Sequence, residues 1–273
     1  MLIELISNYG LFLLKTLTVV ISIIIILSFA LNSKKGKPEG NLSVTDINQE
    51  LDNIEDNIKK NILNKKDYKI FTKEKKKSKK ISEKKLFVLD FKGNIKASEI
   101  VSLRREISGI LLSYNKGDEV LLRLENSGGT VHEHGLAASQ LKRIKDKKIP
   151  LTICVDKVAA SGGYMMACVA NKIISSPFAI IGSIGVLAQL PNFNKLLKNK
   201  GIDFEQHTAG NYKRTVTMFG ENTDKDREKL SEQLEDIHIL FKDFIVSQRK
   251  NIDIEKVATG EYWYGKSALE LNL

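Results

Sequence analysis

Apolar positions fall into three textures along the 273-residue chain. The first is a run, LFLLKTLTVVISIIIILSFAL (residues 11–31), almost wholly apolar apart from Lys15. At about 1.5 Å per residue its 21 residues reach roughly 30 Å, one bilayer core. The run predicts a transmembrane helix after a short flank at 1–10. Its length, the lack of Lys or Arg in the first ten residues and the missing small-x-small cleavage site weigh against a cleaved signal peptide. Lys15, near the start of the span, can snorkel to the interface.

The second texture, residues 32–85, is polar and rich in lysine. Within it Ile47, Leu51, Ile54, Ile58 and Ile62 recur at spacings of 4, 3, 4 and 4, one apolar stripe on a helix. Such a helix suits a short coiled coil or a helix lying on its own domain. The lysine run that follows, KEKKKSKKISEKK (73–85), predicts a solvated, flexible tether, with attraction to anionic lipid as a secondary role.

From residue 86 strand and helix periods alternate. KLFVLDF (85–91), EVLLRLE (119–125), PLTICVD (150–156) and NKIISSP (171–177) predict strands, with a further strand over 204–208. Helical periods cover 97–114, about 131–146, the segment after Ser161, and 223–250. Repeated β then α predicts an α/β fold with a largely parallel core sheet, its ligand-contacting loops at the carboxyl ends of strands.

Composition changes little in this picture. A 42% hydrophobic content suits a chain that buries a core. The formal charge of +10 looks like a nucleic-acid signal until it is located: eight lysines sit in 73–85, with no aromatic residue among them and no binding module beside them. No nucleic-acid partner is expected. Cys154 and Cys168, in apolar surroundings without CxxC or metal-ligand spacing, predict small core residues. After the span, Lys34, Lys35 and Lys37 place the remainder in the cytoplasm by the positive-inside rule, although long domains can translocate regardless, so the side of the membrane stays open.

The candidate chemistry lies in two glycine loops, Asn126-Ser127-Gly128-Gly129 and Ala160-Ser161-Gly162-Gly163, each after a strand. Two glycines let a backbone turn with N–H groups exposed, the requirement of an oxyanion hole. Ser161 before a helix is first of all a candidate N-cap; as a nucleophile it needs a base. His132 and His134 follow the first loop without the i, i+4 spacing of a metal pair and predict polar residues at a helix start, and His238 predicts a solvated helix face. His207 lies near the other candidate base, Lys213 in AGNYKRTVTMFG. A lysine serves as general base only where its surroundings keep the amine neutral, and a solvated lysine is its ordinary reading.

The ordered motifs NSGG, VAASGGYMMA, GSIGV, GNYKR and ATGEYWYGKSALE resemble the signal peptide peptidase A family of membrane-bound serine proteases, also called protease IV, and within it the SohB branch. The likeness covers roughly residues 86–271; the span and linker match in layout only. It implies a ClpP/crotonase-like fold of repeated β-β-α units over 86–273 and a Ser-Lys dyad. By position Ser161 matches the nucleophile, Lys213 the base, Ser183 the serine that orients the lysine, and Gly128, with Gly129 beside it, the oxyanion-hole donor. It further implies peptide or protein substrates such as remnant signal peptides or unfolded membrane segments, a bacterial inner-membrane location, and homo-oligomeric rings in which serine and lysine can come from different subunits. No metal or organic cofactor is implied. The family's domain usually continues past the last motif with a glycine, so the likeness also implies a C-terminus cut short at Leu273, with Asn272 at the glycine position. A crotonase-like acyl-CoA enzyme and an inactive membrane scaffold of the same fold are the alternatives. VLAQLPNF (186–193) suits either an apolar substrate groove or core.

Overall fold

The computed structural model describes residues 2–33, 42–78 and 84–273. Lys34, Lys35, Lys37 and the part of the lysine run at 79–83 lie outside the described residues. The chain divides into two compact units, Met1–Lys79 and Lys80–Leu273.

In the first unit α1 spans Leu2–Ser33. Tyr9–Leu27 within it is long and apolar enough to cross a membrane, and its apolar side chains are exposed. The expected flank at 1–10 is not a separate element: no proline interrupts the sequence, and the helix is already running at Leu2. The amphipathic stripe is helical as its period predicts, in α2 (Ile47–Ile62), started by Asp46, whose carboxylate accepts the Gln49 N–H at 3.2 Å. Ile47, Leu51, Ile54, Ile58 and Ile62 are all exposed. The tether prediction needs correction over its first residues, because α3 (Lys65–Ser78) carries the lysine run as helix through Ser78. Lysine is a good helix former, and Lys75 Nζ is fixed between Asp52, Glu55 and Asp56 of α2 at 3.1, 2.9 and 3.0 Å.

The second unit runs, in chain order, β1 (Leu86–Lys92), α4 (Ile100–Ser113), β2 (Glu119–Glu125), α5 (Val131–Asp146), β3 (Leu151–Val155), β4 (Val158–Ala160), α6 (Gly162–Ala167), β5 (Lys172–Ser175), β6 (Ile180–Gly182), α7 (Asn194–Asn199), α8 (Asp224–Gln248), α9 (Ile254–Val257), β7 (Tyr262–Tyr264) and α10 (Gly265–Glu270). One sheet has the order β1-β2-β3-β5, every pair parallel. Its register sets Leu89 opposite Leu122 and Leu122 opposite Ile153. The period of two aims Val120, Leu122 and Leu124 of β2 into the core, where α4 buries Ile100, Leu103, Ile107 and Ile110 at helical spacing. Each such side chain contributes about 1.5–3 kcal/mol on full burial. Cys168 is buried and Cys154 half-buried, both free.

A second sheet, β4-β6-β7, was not anticipated. Strands of three residues are too short to show a period. β4 and β6 pair in parallel, and β7 returns antiparallel to β6. The expected strand at 204–208 is absent. Side chains hold the backbone further along: Asn192 Nδ2 donates to Thr217 O and Gly220 O (2.9 and 3.0 Å), and Asn194 Nδ2 donates to Phe219 O (2.8 Å). Phe204 spends its ring on Phe219, 5.8 Å between centroids, which in turn stacks on Phe193. α10 ends in Asn272 at φ +60°, the left-handed geometry in which asparagine is the usual substitute for glycine.

Candidate active site

Ser161 stands where β4 turns into α6. Its N–H donates to Gly182 O of β6 at 2.7 Å, so the second sheet holds it in place. The backbone sits at φ +51°, ψ −119°, a region costly for any residue with a Cβ, at about 1–3 kcal/mol. Although it occupies the cap position, its side chain caps nothing: no hydrogen bond runs from the α6 N–H groups to its hydroxyl. The capping role therefore does not explain this serine.

The first glycine loop lies against it. Gly128 has φ +91°, and a Cβ there would come within 2.7 Å of Ser161 Cβ and 2.9 Å of Ala160 O, so glycine alone permits the approach. Its N–H donates to Asn126 Oδ1 at 2.7 Å. Gly129 instead lines a small cavity of about 20 Å³ with Ser161, Gly162, Val186, Ile237 and Phe241. Thr130 N–H, bonded to Ile95 O at 3.0 Å, fastens the end of the loop.

Ser183 follows directly on the residue that accepts the Ser161 N–H. It too has φ +51°; its N–H donates to Glu261 O at 2.8 Å, and its hydroxyl reaches Gly260 O at 3.4 Å. Lys213 is placed elsewhere, on a turn closed by its N–H to Gly210 O (3.2 Å). It lines an open groove of about 790 Å³ with Leu190, Phe204, His207, Val216 and Phe219. The fold thus brings Ser161, Gly128, Gly129 and Ser183 together, while Lys213 faces a different cavity. The apolar stretch 186–193 connects the two, with Val186 in the Ser161 cavity and Leu190 in the Lys213 groove. His207 is exposed, 3.5 Å from Glu205.

Two histidine expectations change. His132 is exposed as expected, but His134 is fully buried, its ring between Thr130 O and Asn126 Oδ1 at 3.0 Å each. The signal was present in the sequence: Ile144, Leu141, Ala137 and Ala138 form the buried face of α5, and His134 continues it one turn earlier. His238 is half-buried, and its Nε2 is enclosed with no hydrogen-bond partner among the described residues.

Two family descriptions match the chain, "Peptidase family S49 N-terminal" over residues 4–141 and "Peptidase family S49" over residues 143–273. The chain belongs to peptidase family S49. As an S49 member it is a serine-type peptidase, a hydrolase. Its relatives include the "Probable protease SohB" of Buchnera aphidicola subsp. Schlechtendalia chinensis, 47% identical over 290 residues (99% of this chain, 95% of that one), and that of Haemophilus influenzae, 45% identical over 293 residues (100% and 83%). Among solved structures this S49 chain is similar to a mutant of the 1510-N membrane-bound stomatin-specific protease in complex with a substrate peptide, with TM-score 0.44, 16% identity, and 70% of this chain and 74% of that one covered.

Proposed function

We propose that this S49 peptidase is a membrane-anchored endopeptidase that works through Ser161 and Lys213 and forms an acyl-enzyme. The observation that carries the proposal is Ser161 itself, strained, uncapped, and enclosed by glycines that no other residue could replace. Lys213 Nζ, neutral, takes the proton from Ser161 Oγ as the oxygen attacks a peptide carbonyl. The tetrahedral intermediate collapses, the C–N bond breaks, and the same proton goes to the leaving amine. Water then hydrolyses the ester, restoring Ser161. The loop supplies the oxyanion donors. With Gly128 N–H committed to Asn126, Gly129 N–H, on the wall of the Ser161 cavity, is the better placed of the two. Ser183 orients the lysine.

Because Lys213 and Ser161 face different cavities within one chain, the dyad is completed between neighbouring copies of a homo-oligomer. The exposed apolar walls of the Lys213 groove favour extended apolar peptides, the chemistry of remnant signal peptides and unfolded membrane segments. α1 anchors the enzyme in the bacterial inner membrane.

The test uses detergent-solubilised full-length protein on casein or an apolar peptide over about pH 6 to 10. Ser161→Ala and Lys213→Ala should each abolish hydrolysis and fluorophosphonate labelling of Ser161 should be lost in the former. Mixing the two inactive variants should restore activity, since serine from one and lysine from the other form intact sites. Full activity in Lys213→Ala would overturn the dyad, and no recovery on mixing would overturn its assembly between subunits.

A further inference from the structure

The loop beside Ser161 is held by a buried polar chain that the dyad does not use. Asn126 Oδ1 accepts the Gly128 N–H at 2.7 Å and faces His134 Nε2 at 3.0 Å, while His134 Nδ1 faces Thr130 O at 3.0 Å. Asn126 Nδ2 is buried with no hydrogen-bond partner among the described residues. The ring also touches the other half of the site: a Cβ on Gly162, the residue after Ser161, would collide with His134 Cγ and lie 2.6 Å from Cδ2.

The buried ring thus bridges the two ends of the loop, Asn126 before Gly128 and Thr130 after Gly129, and a side chain without ring nitrogens at this place would lose both contacts at once.

We propose that His134 is a positioning residue for the reaction at Ser161, holding the oxyanion loop through Asn126. The assignment rests on the loop's role in the proposed function.

The test measures peptide hydrolysis by the full-length protein in detergent. Asn126→Leu and His134→Ala should each lower kcat about tenfold or more with little change in KM, while Asn126→Asp and His134→Gln, which keep a polar partner in place, should recover most of that loss. An Asn126→Leu or His134→Ala enzyme with wild-type kcat, or a loss that falls on KM instead, would overturn the assignment. Activity surviving in Ser161→Ala would instead sink the Ser161 reading.

Discussion

Strain at Ser161, the proposed nucleophile, gives a stability difference opposite in sign to what activity demands. Ser161 is held at φ +51°, ψ −119° by its N–H bond to Gly182 O, with Gly128 packed against its Cβ. The conformation costs a residue with a Cβ about 1–3 kcal/mol. Ser161→Ala keeps the Cβ and therefore the strain. Ser161→Gly removes it, offset by the larger unfolded-state entropy of glycine, about 0.4–1 kcal/mol. The glycine variant should then be more stable than the alanine variant by about 0.5–2 kcal/mol, which for a domain the size of the unit from Lys80 to Leu273 corresponds to a Tm higher by about 1–8 °C. Both variants should be inactive. The single tryptophan, Trp263, lies on β7 next to β6, so its fluorescence during a thermal melt in detergent reports on the sheet that holds Ser161. A glycine variant melting at or below the alanine variant would refute the strain argument.

Three further outcomes follow from particular contacts. Gly163→Ala places a Cβ into the backbone carbonyl of Asn126 and should destabilise by about 1–3 kcal/mol with loss of activity, whereas Gly135→Ala, in open space on α5, should stabilise by about 0.5–1 kcal/mol with no effect on rate; denaturant midpoints separate the two. Thr223→Ala removes the capping box that starts α8, where the hydroxyl accepts the Asp226 N–H at 3.2 Å; it should cost about 1 kcal/mol in the same assay, and the Asp226 carboxyl, held low chiefly by the Thr223 side chain, should titrate higher. Asp118 is buried and accepts N–H bonds from Asn115 and Lys85 at 2.9 and 2.8 Å, which hold its carboxyl below the usual carboxylate range. With the folded value below the unfolded one, its contribution is complete above about pH 4 and lost as pH falls through the lower value, so the stability gap between wild type and Asp118→Asn should close over that acid range in pH-dependent melts.

The elements that the sequence revealed are those long enough to express a period. β1, β2, β3 and β5, and α4, α5 and α8, lie within a few residues of where alternation or the 3.6 repeat places them, because each is long enough to show its repeat. The second sheet stayed hidden since its strands are three residues long, and β6 and β7 are partners brought together from far apart in the chain. At 204–208 a β-prone composition forms no strand, and the Phe204 ring instead packs on Phe219, which stacks on Phe193. Ser161 and the glycine loops were legible as motifs, and their close approach follows from parallel strands opening on the same side. His134 was missed because its residue type was weighed before its place on the buried face of α5. The distance between the Lys213 groove and the Ser161 cavity follows from tertiary packing, which no local pattern encodes.

The order of strands in the second sheet also sets a timetable. Ser161 rests on β6, and β6 is flanked by β7, which translation delivers some eighty residues later; the loop bearing Ser183 is likewise held by Glu261 and Gly260. A nascent chain that has already exposed Ser161 and its glycine loops still lacks the strand that braces the sheet beneath Ser161. A ribosome must therefore pass Tyr264 before the sheet that holds Ser161 can close, so this serine stays unbraced while the segments between them emerge.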